Sequence, residues 1–296
     1  MLASIVAALN RSFRHWSLLP AVLLFVLLTG YPMVNLLRLS VSTVEFAEGR
    51  AQWSFTPTRN VALLASDSVL PAAVLNTSIF VVVAVAAEVT LGLLLALLVG
   101  RLDRGKGLVR TVMILPILVP PVAIGSMWKL MYNYDFGMFN QALVALGMSP
   151  VNWLGSTSLA LLSVILVDIW HWVPFAFLIL FAAVEGIPVD VIEAARIDGA
   201  SSWQIARRVM IPLLKPALAI ALIFRGILAF KTFDEVYLLT SGGPGTSTEL
   251  VSLHLYKVFF EQNLLGYGAV LSLLLIGIIV ATLLTSRRAV TARSNA

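Results

Sequence analysis

Residues 185–216 read EGIPVDVIEAARIDGASSWQIARRVMIPLLKP and lie between two long apolar stretches. Pro188 suits the first turn of a helix, and Gly199 permits the left-handed backbone at which one short helix ends. One of the two serines that follow Gly199 can cap a second helix. Pro212 and Pro216 are expected to end that helix before the next apolar stretch. The segment is therefore predicted to form two short helices joined at Gly199.

On both sides of this segment, six stretches are long and apolar enough to cross a membrane, since a spanning helix needs about 20 mainly apolar residues. Hydrophobic residues make up 59% of the 296-residue chain and charged residues 12%, and this charge is about half that of a typical soluble domain. The composition excludes a soluble enzyme, a disordered chain and a coiled coil. The sequence predicts an all-α, polytopic membrane protein, a single domain over residues 1–296. Its six transmembrane helices are predicted at residues 18–39, 74–99, 108–131, 159–184, 217–239 and 267–285.

The basic residues are distributed unevenly between the two sides of these spans. With the N-terminus in the cytoplasm, 13 of the 20 Lys and Arg residues fall in cytoplasmic segments and five in outer segments. Lys and Arg collect on the cytoplasmic side of membrane proteins. Both termini are therefore predicted to be cytoplasmic, and the net charge of +5 needs no nucleic acid to explain it.

Several kinds of chemistry are not expected from the sequence. The chain has no cysteine, and its three histidines are far apart, so no disulfide and no metal site is predicted. Residues 100–107 read GRLDRGKG, but a nucleotide-binding P-loop needs Ser or Thr after the lysine and a strand before the loop. We expect no catalytic residue and no ATP site in this chain, so any ATP-driven step would need a partner chain.

The two-helix segment resembles the EAA loop of ABC importer permeases, in which the loop forms coupling helices that dock on the ATPase subunit. The resemblance continues through Ile211-Pro212 and Pro216 in the same order and spacing. It implies that the coupling residues here are Glu193, Ala194, Ala195, Asp198, Gly199 and Ala200.

A second resemblance, over residues 230–260, narrows the family to the carbohydrate-uptake type, similar to the maltose and glycerol-phosphate importer permeases. Tyr31-Pro32 and Asn76-Thr77 fit that group as well. The resemblance implies a type I ABC importer permease fold in the bacterial inner membrane, forming half of the path for an oligosaccharide, polyol, glycoside or glycerol phosphate. The implied partners are a second permease, two ATPase subunits that carry ATP and Mg, an extracytoplasmic solute-binding protein and membrane lipid.

Aromatic and acidic residues alternate within two of the predicted spans. Polar groups at membrane depth usually face protein or a water-filled path. An aromatic ring packs on the C–H face of a sugar, and a carboxylate accepts hydrogen bonds from its hydroxyl groups. Helical spacing groups three of these residues on the fourth span and three on the fifth, with Phe233 adjacent. The predicted substrate pathway is therefore Asp168, Trp172, Phe175, Phe230, Phe233, Asp234 and Tyr237.

The same charges have a structural interpretation, in which Glu88 and Asp168 neutralise Arg225 or Lys231 inside the helix bundle. The prolines at 116, 120 and 121 break the third span, either to line the pathway or as a packing kink. An intramembrane glycosyl- or lipid-modifying enzyme is the alternative function. It would need a cluster of catalytic groups near one membrane surface, and the paired carboxylates Asp234-Glu235 lack a convincing partner there.

Overall fold

The computed structural model describes residues 2–47 and 50–294. Within these described residues, one β-hairpin interrupts a mainly helical chain. In order, the elements are α1 (Leu2–Ser40), β1 (Ser42–Ala47), β2 (Arg50–Phe55), α2 (Arg59–Ser66), α3 (Leu70–Gly100), α4 (Lys106–Leu118), α5 (Pro121–Met131), α6 (Met138–Ala145), α7 (Ala160–Glu185), α8 (Val189–Ile197), α9 (Ser202–Ile205), a π-helical turn (Ala206–Met210), α10 (Ile211–Leu213), α11 (Lys215–Phe230), α12 (Asp234–Leu239), α13 (Val251–Tyr256), a second π-helical turn (Lys257–Glu261) and α14 (Leu265–Ser294).

The described residues belong to two compact units. The first lies within Met1–Ser66 and Lys257–Leu273, and the second within Asp67–Tyr256 and Leu274–Ala296. The single domain predicted over residues 1–296 stays a prediction. The ends of the chain on which the predicted cytoplasmic termini fall, Met1 and residues 295–296, lie outside the described residues.

In the first unit, the long helix α1 leads directly into the antiparallel hairpin of β1 and β2, in which Ser42 pairs with Phe55 and Val44 with Trp53. The buried side chain of Asn60 on α2 donates hydrogen bonds to the carbonyl oxygens of Ser40 at 3.0 Å and Ser42 at 2.9 Å. This amide holds the start of α2 against the junction of α1 and β1.

In the second unit, α3 and α7 pack against each other and carry most of the core, including Phe80, Val164 and Phe177. The two backbones approach closely at Gly92, where an added Cβ would lie 2.8 Å from the Cβ of Ala176. Glycine at this position therefore permits the approach of the two helices.

The described helices account for the six predicted spans. Four are long and apolar enough to cross a membrane individually: Ser17–Ser40, Leu70–Gly100, Ala160–Glu185 and Leu265–Leu284. Two further candidates are bent pairs: Lys106–Leu118 with Pro121–Met131 at 92°, and Ser202–Leu213 with Lys215–Phe230 at 66°. Each pair counted as one span by length and composition brings the number to six; in the second pair, Lys215–Phe230 lies at the predicted fifth span and Ser202–Leu213 lies in the predicted cytoplasmic loop before it.

The fifth span differs from its prediction at its C-terminal end. The second short helix continues from α9 through the π-helical turn into α10 and ends at Leu213, between Pro212 and Pro216, with a 66° bend before α11. Pro216 lies in the first turn of α11, where its missing N–H costs no hydrogen bond. At the C-terminal end, α11 stops at Phe230 and α12 begins only at Asp234, so the predicted helix over 217–239 is interrupted.

Candidate functional site

The coupling segment, residues 188–213, has the local structure that its sequence predicts. Helix α8 ends just before Gly199, whose φ of 78° lies in the left-handed region that favours glycine. Ser201 then caps α9: its hydroxyl accepts from the Gln204 N–H at 3.3 Å, and the Gln204 side chain accepts from the Ser201 N–H at 2.7 Å. This reciprocal capping box defines the start of the second helix.

Large apolar side chains on the coupling segment face outward. Ile197 is 87% exposed and Trp203 is 68% exposed, and both lie within a few residues of Gly199. Of the residues implied by the family resemblance, Glu193, Ala194 and Asp198 are exposed as well. Exposed apolar residues grouped in this way mark a contact surface for another protein or a membrane.

A cleft of about 510 Å³ lies beside the coupling segment and is lined by residues of α8 and α9, the ends of α3, α4 and α7, the loop between α3 and α4, and Met210 of the first π-helical turn. The Arg101 guanidinium donates through Nη2 to the carbonyl oxygen of Ser202 at 3.2 Å. Lys106 Nζ lies 3.5 Å from a carboxylate oxygen of Glu185. These contacts join the coupling segment to the loop between α3 and α4, and the end of α7 to the start of α4.

A buried charge cluster, consisting of Arg225, Glu88 and Asp168, joins three helices of the second unit. Arg225 on α11 is fully buried, and its Nη2 donates to Glu88 Oε1 on α3 and to Asp168 Oδ2 on α7, both at 2.8 Å. Its Nε donates to the other oxygen of Glu88. The arrangement matches the structural interpretation of these charges, because both carboxylates neutralise Arg225. The predicted pathway role of Asp168 stays a prediction, and in this conformation its side chain is closed off from solvent.

The edge of the charge cluster is aromatic. The Arg225 guanidinium carbon lies 4.6 Å from the ring centroid of Trp172, a cation–π contact, and the Phe175 ring lies 6.0 Å from that of Trp172. Next to it, the buried His171 Nδ1 lies 3.0 Å from Glu235 Oε1, so a second polar pair connects α7 to α12. Trp172 and Phe175 are half-buried and share the edge of the cluster, as their spacing predicts.

The remaining predicted pathway residues divide between two helices. Phe230 is the last residue of α11, whereas Asp234 and Tyr237 lie on α12 beyond the break. The single helical face predicted for these three residues is therefore wrong, because residues 231–233 leave the helix. Thr232 there accepts a hydrogen bond from the Ser252 hydroxyl through its carbonyl oxygen, a partner outside α11.

Three aromatic rings nevertheless form a group around the start of α12. The rings of Phe233 and Tyr237 stack with centroids 5.3 Å apart, and Tyr256 of α13 packs on both, at 4.8 Å from Phe233 and 5.6 Å from Tyr237. Tyr237 and the adjacent Asp234 are exposed, so a ring and a carboxylate share one accessible surface. Tyr256 is not among the predicted pathway residues, because only the packing of α13 on α12 brings it into this group.

A second unforeseen group lies outside the membrane-spanning segments. His254 Nε2 lies 2.7 Å from Asp67 Oδ2, and its Nδ1 lies 3.7 Å from Glu249 Oε1. The other oxygen of Asp67 accepts from the backbone N–H groups of Val69 and Leu70 at the start of α3. Burial lowers the pKa of His254, but the hydrogen bonds and charges of Glu249 and Asp67 outweigh it and raise the pKa above 6.5.

This raised pKa predicts a pH-dependent stability. A histidine whose pKa is higher in the folded than in the unfolded state stabilises the fold fully below the unfolded value, and the contribution is lost as pH rises through the folded value. The melting temperature of the purified protein is therefore expected to fall as the pH rises above about 6.5 and passes through the raised pKa of His254. In His254→Gln this fall should be smaller, with melting temperatures converging at the alkaline end. An identical pH profile in His254→Gln would contradict the ion pairing.

Comparison with known proteins agrees with this architecture. Residues 88–287 match the family model described as binding-protein-dependent transport system inner membrane component. The chain is 42% identical to the trehalose/maltose transport system permease protein MalF of Thermococcus litoralis over 195 residues, 66% of each chain. It is 31% identical to the trehalose transport system permease protein SugA of Mycobacterium tuberculosis, over 87% of this chain and 82% of that one.

The fold also has a solved counterpart. A chain in the crystal structure of a bacterial ABC transporter involved in the import of the acidic polysaccharide alginate superposes with a TM-score of 0.84, at 19% identity, over 98% of this chain and 99% of that chain. The type I ABC importer permease fold implied by the sequence is therefore confirmed. The family consists of transport proteins, so the alternative of an intramembrane enzyme is not supported. The chain belongs to the binding-protein-dependent transport system inner membrane components, and it is a transport subunit and not an enzyme.

Proposed function

We propose that this permease forms half of the path by which a sugar or sugar-like solute enters the cell, in an importer driven by ATP hydrolysis on a partner chain. The observation that carries the proposal is the sequence identity with two permeases named for trehalose or maltose transport. The exposed carboxylate and ring of Asp234 and Tyr237 support it, since this pair of groups suits the two faces of a sugar.

The proposed assembly contains a second permease, two ATPase subunits and an extracytoplasmic solute-binding protein, all embedded in or bound at the bacterial inner membrane. The coupling segment is the proposed dock for the ATPase, because its apolar residues Ile197 and Trp203 are exposed around the bend at Gly199. ATP and Mg would be held by the ATPase. Among the described residues of this chain, no group of three or more acidic or histidine side chains is placed to hold a metal ion.

The proposed orientation has both termini and the coupling segment in the cytoplasm. The distribution of Lys and Arg supports it, as does the even number of proposed spans. In this orientation α12 and the loop after it lie toward the outer side, where solute arrives from the binding protein.

The proposed solute contacts are the aromatic residues at the edge of the charge cluster and on α12, with Asp234 as hydrogen-bond acceptor. Trp172 and Phe175 are half-buried, and so are Phe230 and Phe233, so a rearrangement of helices that opens the path would expose more of their rings. Asp168 would contribute only in a conformation that frees its unpaired oxygen Oδ1, which is buried without a hydrogen-bond partner here.

Uptake measurements on reconstituted complexes test these contacts. Trp172→Ala and Tyr237→Ala are each expected to reduce uptake of radiolabelled trehalose or maltose by about fivefold, because an aromatic contact contributes about 1 kcal/mol beyond its area. Basal ATP hydrolysis should not change. Phe224→Ala is the matched control, since Phe224 is an exposed ring on α11 outside the proposed contacts. Normal uptake by both variants would contradict the proposed contacts. Failure of every unlabelled sugar to compete with the radiolabelled sugar for uptake would contradict the proposed pathway.

A further inference from the structure

The β-hairpin after α1 has one apolar and one polar face. Residues that pair across antiparallel strands project to the same side, so Val44, Trp53 and Phe55 share a face, with Ser42 opposite Phe55. The other face carries Thr43, Glu45, Gln52 and Ser54.

The apolar face is only partly covered. Val44 is buried, whereas on the outer strand Trp53 is 42% exposed and Phe55 is 75% exposed. Every described residue of β2 is exposed. An exposed tryptophan and phenylalanine side by side on a hairpin are expected to contact something apolar.

The length of α1 places this face relative to the membrane. Its candidate span, Ser17–Ser40, has 24 residues and none of its most apolar window is buried within the protein. At 1.5 Å per residue the span is about 36 Å long, and the hydrocarbon core of a bilayer is about 30 Å thick. Ser40 therefore reaches just past the acyl chains, and β1 begins two residues later.

The residues around the hairpin also suit the surface of a bilayer. Arg38, in the last turn of α1, places its guanidinium carbon 4.4 Å from the ring centroid of Trp53. Arg50 and Arg59 are exposed at the start of β2 and of α2. Tryptophan is enriched at membrane interfaces, and arginine at the ends of spans reaches toward lipid phosphates.

We propose that the Trp53–Phe55 face of this hairpin lies in the bilayer interface, with its rings between the phosphates and the acyl chains and its polar face toward water. The hairpin anchors the end of α1 at a fixed depth. In the proposed orientation, the lipids involved are those of the outer leaflet. The inference uses the span of α1, the faces of the hairpin and the arginines beside it, so it does not depend on the transported solute.

The absence of cysteine from the chain permits a direct test. Phe55→Cys and Ser54→Cys place a thiol on opposite faces at adjacent exposed positions, and each is labelled with an environment-sensitive fluorophore in the full importer complex. The complex is then reconstituted in lipid bilayers brominated near the headgroup end of the acyl chain. The complex with the natural chain, which offers no thiol from this subunit, measures background labelling of the partners.

We expect the fluorophore at position 55 to be quenched about threefold more strongly than the one at position 54, with bluer emission at 55. Adding the solute-binding protein should leave the fluorophore at 55 unchanged. Equal quenching at both positions, or none at 55, would overturn the proposal. So would a fluorophore at 55 that ignores brominated lipid but responds to the binding protein, because that result assigns the face to a protein partner.

Discussion

Replacement of Arg225 by methionine is expected to be the most destabilising single change in this permease. Arg225, Glu88 and Asp168 are all fully buried, and the guanidinium is the only cation within hydrogen-bonding distance of the two carboxylates in the described contacts. Methionine fills a similar volume but leaves two acidic side chains without their partner. Breaking a buried ion pair from one side typically costs about 3–5 kcal/mol.

The measurement is the melting temperature of the detergent-extracted complex, with Arg110→Met as the matched control at an exposed arginine on α4. Asp168→Asn should have a smaller effect than Arg225→Met, because Glu88 still neutralises the guanidinium through two hydrogen bonds. The triple variant of Arg225→Met, Glu88→Gln and Asp168→Asn should recover part of the stability lost in Arg225→Met. A melting temperature of Arg225→Met equal to that of the control would show that the cluster does not hold α3, α7 and α11 together.

Replacement of Ile197 by aspartate is expected to abolish transport without affecting the fold of this chain. Ile197 is the most exposed large apolar residue of the coupling segment, so a carboxylate there disturbs no internal contact. At the centre of the surface proposed to dock on the ATPase, however, the new carboxylate would be buried without a partner charge. A loss of 2 kcal/mol or more at such a position reduces affinity at least about 30-fold. Uptake and solute-stimulated ATP hydrolysis should both disappear in reconstituted complexes.

Leu146→Asp is the matched control for this substitution, since Leu146 is similarly exposed in the loop after α6, away from the coupling segment. Gly199→Pro tests the backbone of the same surface. Proline cannot adopt a φ of 78°, so the angle between α8 and α9 must change. Gly147→Pro is the corresponding control, because Gly147 also has a positive φ and open space around it. If Ile197→Asp and Gly199→Pro retain solute-stimulated ATP hydrolysis, the coupling segment is not the dock.

Local properties of the sequence were enough to predict the four unbroken spanning helices and the two short helices at Gly199. A run of about 20 apolar residues forms a spanning helix wherever it enters a membrane, because its backbone groups must bond within the segment. The two short helices at Gly199 follow equally local rules, namely the left-handed glycine and the serine cap.

Breaks within the spans were predicted less well. The 92° bend between α4 and α5 follows from Pro120 and Pro121, which are visible in the sequence. The interruption between Phe230 and Asp234 contains no proline or glycine. It depends on contacts such as the hydrogen bond from Ser252, 20 residues away, to the Thr232 carbonyl.

The sequence by itself determined that this chain is multispanning and carries a two-helix segment bent at Gly199, since hydropathy and capping act over neighbouring residues, and its motifs in that segment indicated the permease family. Only the tertiary structure decided which side chains meet. Arg225 reaches Glu88 across 137 positions and Asp168 across 57, and Tyr256 joins Phe233 and Tyr237 from a separate helix. Such pairings depend on the rotation and packing of each helix against its neighbours, and the periodicity of a single helix does not specify these.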